Sequence, residues 1–153
     1  MVRRLVAFVV AVVAMIVLGS LAHTLFVQEA WSAAAGQGEG VGPVAIPMSD
    51  RMSWIVHDLI GLEPMYGGLT GIALLIALLF AGLVARFTGL RPIVFAVAGA
   101  VAIFVMYTIM RQPSVLGTVG VFGARGMMGL GAQMAAGLVA GLIFAVLSRP
   151  RSA

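Results

Sequence analysis

The stretch MYGGLTGIALLIALLFAGLVA, residues 65–85, contains no Asp, Glu, Lys, Arg or His, and Thr70 interrupts its apolar run only near one end. About 20 apolar residues is the length at which an α-helix crosses the roughly 30 Å hydrocarbon core of a bilayer. In lipid every backbone N–H and C=O must be satisfied within the segment, so such a run reads as a helix. Three other stretches repeat the pattern: LVAFVVAVVAMIVLGSLAHTLFV at 5–27, PIVFAVAGAVAIFVMYTIM at 92–110 and GMMGLGAQMAAGLVAGLIFAVL at 126–147. Pro64 and Pro92 stand where a first helical turn tolerates a missing N–H. The expected fold is an all-α integral membrane protein, a four-helix transmembrane bundle forming a single domain over residues 1–153.

Composition agrees. The 153 residues are 62% hydrophobic and 9% charged, whereas a soluble domain carries roughly a quarter charged residues. The net charge of +4 does not point to nucleic acid. All nine basic residues are Arg, scattered singly or in pairs, with no basic face interleaved with aromatics. The chain has no cysteine, which excludes disulfides, thiol catalysis and thiolate metal sites.

Charge also sets an orientation. Arg3, Arg4, Arg86, Arg91, Arg149 and Arg151 fall on one side of the four-span layout, and Arg51, Arg111 and Arg125 on the other. By the positive-inside tendency both termini are expected to be cytoplasmic. All five acidic residues lie in the 28–64 outer loop, and Trp31, Trp54, Tyr66 and Tyr107 fall at the outer side as an aromatic belt would. The N-terminus also fits a signal peptide cleaved after Ala22. Its apolar run continues to Val27, which favours an uncleaved first span, and cleavage would leave three spans in the same orientation.

Between the first and second spans, QEAWSAAAGQGEGVGPVAIPM at 28–48 reads as a loop. A short helix at about 50–62 follows, with Ser49 as a cap and Asp50 in its first turn. There Met52, Ile55, Val56, Leu59 and Leu62 share one face, and Arg51, Trp54, His57, Asp58 and Gly61 the other. That suits a helix at the outer interface or, equally, a buried connector packed on the bundle. RQPSVLGTVGVFGARG, between the third and fourth spans, reads as a glycine-rich loop dipping into the interface.

Polar groups at hydrocarbon depth are few, which weighs against a pump or secondary transporter. His23 and Gln133 are expected to make interhelical polar contacts. Gly67 with Gly71, Gly137 with Gly141, and Ala96 with Ala100 are each four apart, a spacing that lets helix backbones approach closely. His57, Asp58 and Glu63 sit within seven residues. With His23 they offer imidazole and carboxylate ligands for a metal, or two histidines for haem, although the spacing matches no established ligand motif. Ser53, four residues before His57, lacks the strand-to-helix elbow of a nucleophile. The stronger electrostatic reading pairs Asp58 or Glu63 with Arg125, with Arg111 nearby, as a clamp holding the interfacial helix on the bundle.

HDLIGLEPMYGG with its following span, and GARGMMGLGAQMAAGLVAGLIFA, resemble a group of small bacterial four-helix inner-membrane proteins of unassigned function, over most of residues 50–147. The resemblance implies a multi-pass protein of the bacterial inner membrane and carries over no catalytic or binding residue. The leading functional expectation is a non-enzymatic structural or accessory membrane subunit without a cofactor. Its partners would be the lipid bilayer and other membrane proteins or a second copy. Two alternatives stand: an oligomeric transporter or channel component with Arg111 and Arg125 attracting anions, and a membrane redox or metal protein using His23 and His57.

Overall fold

A computed structural model describes residues 2–37, 44–61, 63–112 and 126–149, with the backbone alone at 36, 37, 59 and 63–65. Its elements in chain order are α1 (Val2–Gln37), α2 (Met48–Gly61), α3 (Glu63–Thr88), α4 (Arg91–Met110) and α5 (Met127–Leu147). α1, α3, α4 and α5 are each long and apolar enough to cross a membrane.

The helices pack as a ring. α5 is clasped between α4 and α1, α4 packs on α3, and the ring closes at a much sparser α1–α3 seam. α3 and α4 are joined by a tight reversal in which Gly89 takes the left-handed conformation (φ +67°) that ends a helix most easily at glycine. Buried positions are mostly small. α5 turns Ala136, Gly137, Ala140, Gly141 and Ala145 inward and α1 turns in Ala7 and Ala11. Large apolar side chains such as Val9, Val13, Leu79, Phe80, Val97 and Val146 are exposed. Water would not tolerate so much exposed apolar surface. In lipid, where burial of an apolar chain gains nothing, association rests on close packing of small residues.

The closest approach is between α4 and α5. A Cβ on Gly137 would overlap the Gly99 carbonyl, one on Gly99 the Gly137 carbonyl, and one on Gly141 the Phe95 carbonyl. Gly137 and Gly141 are therefore backbone-to-backbone contacts. Gly71, by comparison, has only Val12 Cγ1 at 4.0 Å, and Gly67 is half-buried.

One feature differs from the sequence expectation. α1 does not stop near Val27 but continues to Gln37. The segment QEAWSAAAGQ has no proline and four alanines, a composition that sustains a helix. At about 1.5 Å per residue, the 36 residues of α1 exceed the span of a hydrocarbon core by some distance. α2 turns its largely polar side to the bundle. Arg51, Trp54, Ile55 and Asp58 are the partly buried positions, whereas Met48, Met52, Val56 and Ile60 are exposed. The apolar stripe points away from the bundle because the surface of α1 beneath α2 is polar.

Candidate functional site

That polar surface is a stripe along α1. Ser20, Thr24, Gln28 and Ser32 recur every four residues and so stack on one helix face. Ser20, Thr24 and Gln28 are buried, at 5%, 0% and 1% relative exposure. The Thr24 hydroxyl lies 2.7 Å from Asp58 Oδ2 and 3.0 Å from the Ser20 carbonyl, so its one proton serves two acceptors. Gln28 Nε2 donates to the Arg51 carbonyl at 3.1 Å. Ser32 donates to the Val44 carbonyl at 2.6 Å, and the Val44 N–H donates back to the Ser32 carbonyl at 3.1 Å. Trp31 and Trp54 meet edge to face with centroids 5.8 Å apart. As these contacts ascend α1 from 24 to 32, they run back along α2 and the residues before it, from Asp58 to Val44. α2 thus folds back along the far end of α1 before the chain enters α3.

A second polar cluster lies one turn further into the bundle. Gln133 of α5, 1% exposed, donates through Nε2 to the Gly19 carbonyl at 2.8 Å and accepts from the Tyr66 hydroxyl at 2.9 Å. One amide therefore joins α1, α3 and α5. Gly19 is required there, because a Cβ would lie 2.5 Å from the Tyr66 oxygen and 2.8 Å from Gln133 Oε1. Tyr107 of α4 packs its ring 6.4 Å from that of Tyr66. Its buried hydroxyl faces Tyr66 without closing a well-formed hydrogen bond. Thr70 Oγ1 rests 3.7 Å from the Met106 sulfur. Tyr66 and Tyr107, at 7% and 2% exposure, thus lie inside the bundle. They do not line the surface as an aromatic belt would, because both rings pack inside the bundle; Trp31 remains half-exposed.

The sequence-derived site residues are distributed as follows. Asp58 turns to α1 and engages Thr24, and its charge is felt at half-buried His23. His57, about 100° further round α2, is exposed. Among the described residues no group of three or more His, Asp or Glu is arranged to hold a metal ion. Arg111 is exposed at the end of α4 and takes part in an interaction of its own. The Glu63 side chain and Arg125 lie outside the described residues, as does the glycine-rich connection at 113–125. What holds α2 in the described residues is the α1 stripe, chiefly Thr24 and Gln28.

No family model, curated protein or solved structure matches this chain. Its chemistry is therefore read from geometry. Apart from Asp58 and His23, the described groups of the two clusters are hydroxyls and amides whose partners sit on other helices, an arrangement that fixes helix positions. Ser20 Oγ and Gln28 Oε1 are buried without a hydrogen-bond partner among the described residues. Gly19, Thr24 and Gln28 went unread in the sequence. The spacing of four between Ser20, Thr24, Gln28 and Ser32 is the signal that marks Thr24 and Gln28; no such pattern marks Gly19.

Proposed function

We propose that this protein is a structural or accessory subunit of a membrane complex, carrying no catalytic centre of its own and engaging another membrane protein through α2. The observation that supports this reading is the arrangement of α2. Its polar and aromatic side is latched to α1, and Met48, Met52, Val56 and Ile60 form an exposed apolar stripe at 73%, 59%, 56% and 72% relative exposure. An exposed apolar stripe on a helix whose other side is latched to α1 suits a protein partner with an apolar groove or helix. The distribution of arginines favours both termini in the cytoplasm, with the α1–α2 hairpin outside. The resemblance of the 50–147 region supports a bacterial inner-membrane location.

The test is site-specific photo-crosslinking in native membranes, with a photoreactive side chain at Val56 and a control at lipid-facing Leu79. The reading expects a discrete protein adduct at Val56 and none at Leu79, lost when Met52→Glu is introduced while α2 stays protected from protease. An adduct of twice the chain's own mass would assign the surface to a second copy. Crosslinking to lipid alone at Val56 would refute the subunit reading and leave α2 as an interfacial helix.

A further inference from the structure

Every Asp and Glu lies between residues 29 and 63, whereas Arg3, Arg4, Arg86, Arg91 and Arg149 sit at the helix ends that form the opposite end of the bundle. Among the described residues no carboxylate side chain is present there to neutralise them. Two of these arginines have structural work. Arg3 Nε donates to the Leu147 carbonyl at 2.8 Å, and Arg91 Nη2 donates to Ser148 Oγ at 2.7 Å and to its carbonyl at 3.3 Å. Both thereby cap the last turn of α5. Arg91 also lies 5.0 Å over the Phe95 ring, and its buried Nε has no partner among the described residues. Arg4 and Arg86 donate no hydrogen bond to any described residue. Arg4 and Arg149 are close enough for their charges to be felt at Arg91.

These cations border a cavity. Where the α1–α3 seam is sparse, a groove of ≈ 690 Å³ opens, edged by Arg4, Arg86 and Arg91 and walled by apolar side chains including Phe8, Leu79 and Phe144. Leu78 and Phe95, at 4% and 2% exposure, form its floor. The N-terminus of α4 lies at the same place with no side-chain cap on its free N–H groups, which adds a partial positive charge. An apolar trough with cations gathered at one end matches a molecule with a hydrocarbon chain and an anionic head. We propose that this groove binds an anionic glycerophospholipid, its phosphate among Arg4, Arg86 and Arg91 and one acyl chain along the α1–α3 wall. Basic pockets between membrane helices recognise such headgroups by the same charge complementarity. The proposal rests on the bundle being membrane-embedded, and does not depend on α2 having a protein partner.

The experiment is native mass spectrometry of the purified full chain, released from a neutral detergent in the presence of dioleoylphosphatidylglycerol or dioleoylphosphatidylcholine. The native protein is expected to retain the anionic lipid at about tenfold lower concentration than the zwitterionic one. The Arg4→Gln/Arg86→Gln variant removes no described hydrogen bond. It should fold normally and bring that preference below about threefold. Gly82→Leu lines the groove, and its Cβ meets only the Phe95 ring edge at 3.9 Å. It should weaken both lipids alike, and Leu79→Gln provides the same test should Gly82→Leu fail to fold. Equal retention of the two lipids by the native protein, or an unchanged preference in the double variant, overturns the proposal. Displacement of the lipid by inorganic phosphate alone also overturns it, in favour of a free-anion site. Failure here would leave the membrane topology intact, because cysteine labelling tests that separately.

Discussion

Replacing Gln133 by Leu tests whether the inner polar cluster holds the bundle together. The side chain keeps roughly its volume but loses the 2.8 Å bond to the Gly19 carbonyl and the 2.9 Å bond from Tyr66. Interhelical hydrogen bonds in membrane proteins average about 0.6 kcal/mol and reach about 1.7, so losing two should cost about 1–3 kcal/mol. Tyr66→Phe removes one of them and should cost about 0.6–1.7 kcal/mol. The informative quantity is the coupling. Once Gln133 is Leu, the Tyr66–Gln133 bond is already gone, so Tyr66→Phe no longer carries the cost of losing it. The double variant should therefore be less destabilised than the sum of the singles by about 0.6–1.7 kcal/mol. Reversible unfolding in mixed micelles of neutral detergent and dodecyl sulfate, followed by far-ultraviolet circular dichroism, measures all four states of the cycle. Additivity within about 0.3 kcal/mol would refute the role given to this amide.

Other perturbations have graded outcomes in the same assay or by proteolysis. Gly141→Ala forces α4 and α5 apart at the Phe95 carbonyl and should cost about 1–3 kcal/mol, while Gly131→Ala, with nothing within 4 Å of its Cβ, should be nearly neutral. Gly19→Ala should match Gln133→Leu within a factor of two in destabilisation, because its methyl group displaces the same hydrogen bonds. Asp58→Ala removes the Thr24 partner and should raise the rate of protease cleavage within 44–61 severalfold, whereas His57→Ala, at an exposed position, should leave it unchanged. Arg91→Gln uncaps α5 and loses the Phe95 stacking, lowering stability by about 1–3 kcal/mol.

The sequence was legible where one signal dominates. Length and hydrophobicity delimit α4 and α5 within a residue or so of their observed ends, because Pro92 and the flanking arginines punctuate them and nothing in the described bundle competes. They locate α3 but end it three residues early, since Arg86 was read as outside the helix and Gly89 provides the actual stop. Gly137 and Gly141 were visible as a spacing, but not their partner, because Gly99 lies on another helix and contact between helices leaves no mark in local pattern. α1 was truncated because an apolar window ends where polar residues begin. The four-residue spacing of Ser20, Thr24, Gln28 and Ser32 instead says that the helix continues with a partner on that face. The face that α2 turns to the bundle follows from that same stripe. An apolar stripe is expected to turn inward only when the surface beneath it is apolar, and here that surface is a row of hydroxyls and amides.

The central claim is a four-span bundle whose α1–α2 hairpin and arginine-rich end lie on opposite sides of a membrane. The native chain has no cysteine, so single introduced cysteines report without background. Ser53→Cys on α2 and Thr88→Cys at the end of α3 are both at exposed positions. Labelling intact cells with a membrane-impermeant maleimide should modify Ser53→Cys directly and Thr88→Cys only after permeabilisation. Equal labelling of the two in intact cells, or the reverse order, would contradict the account.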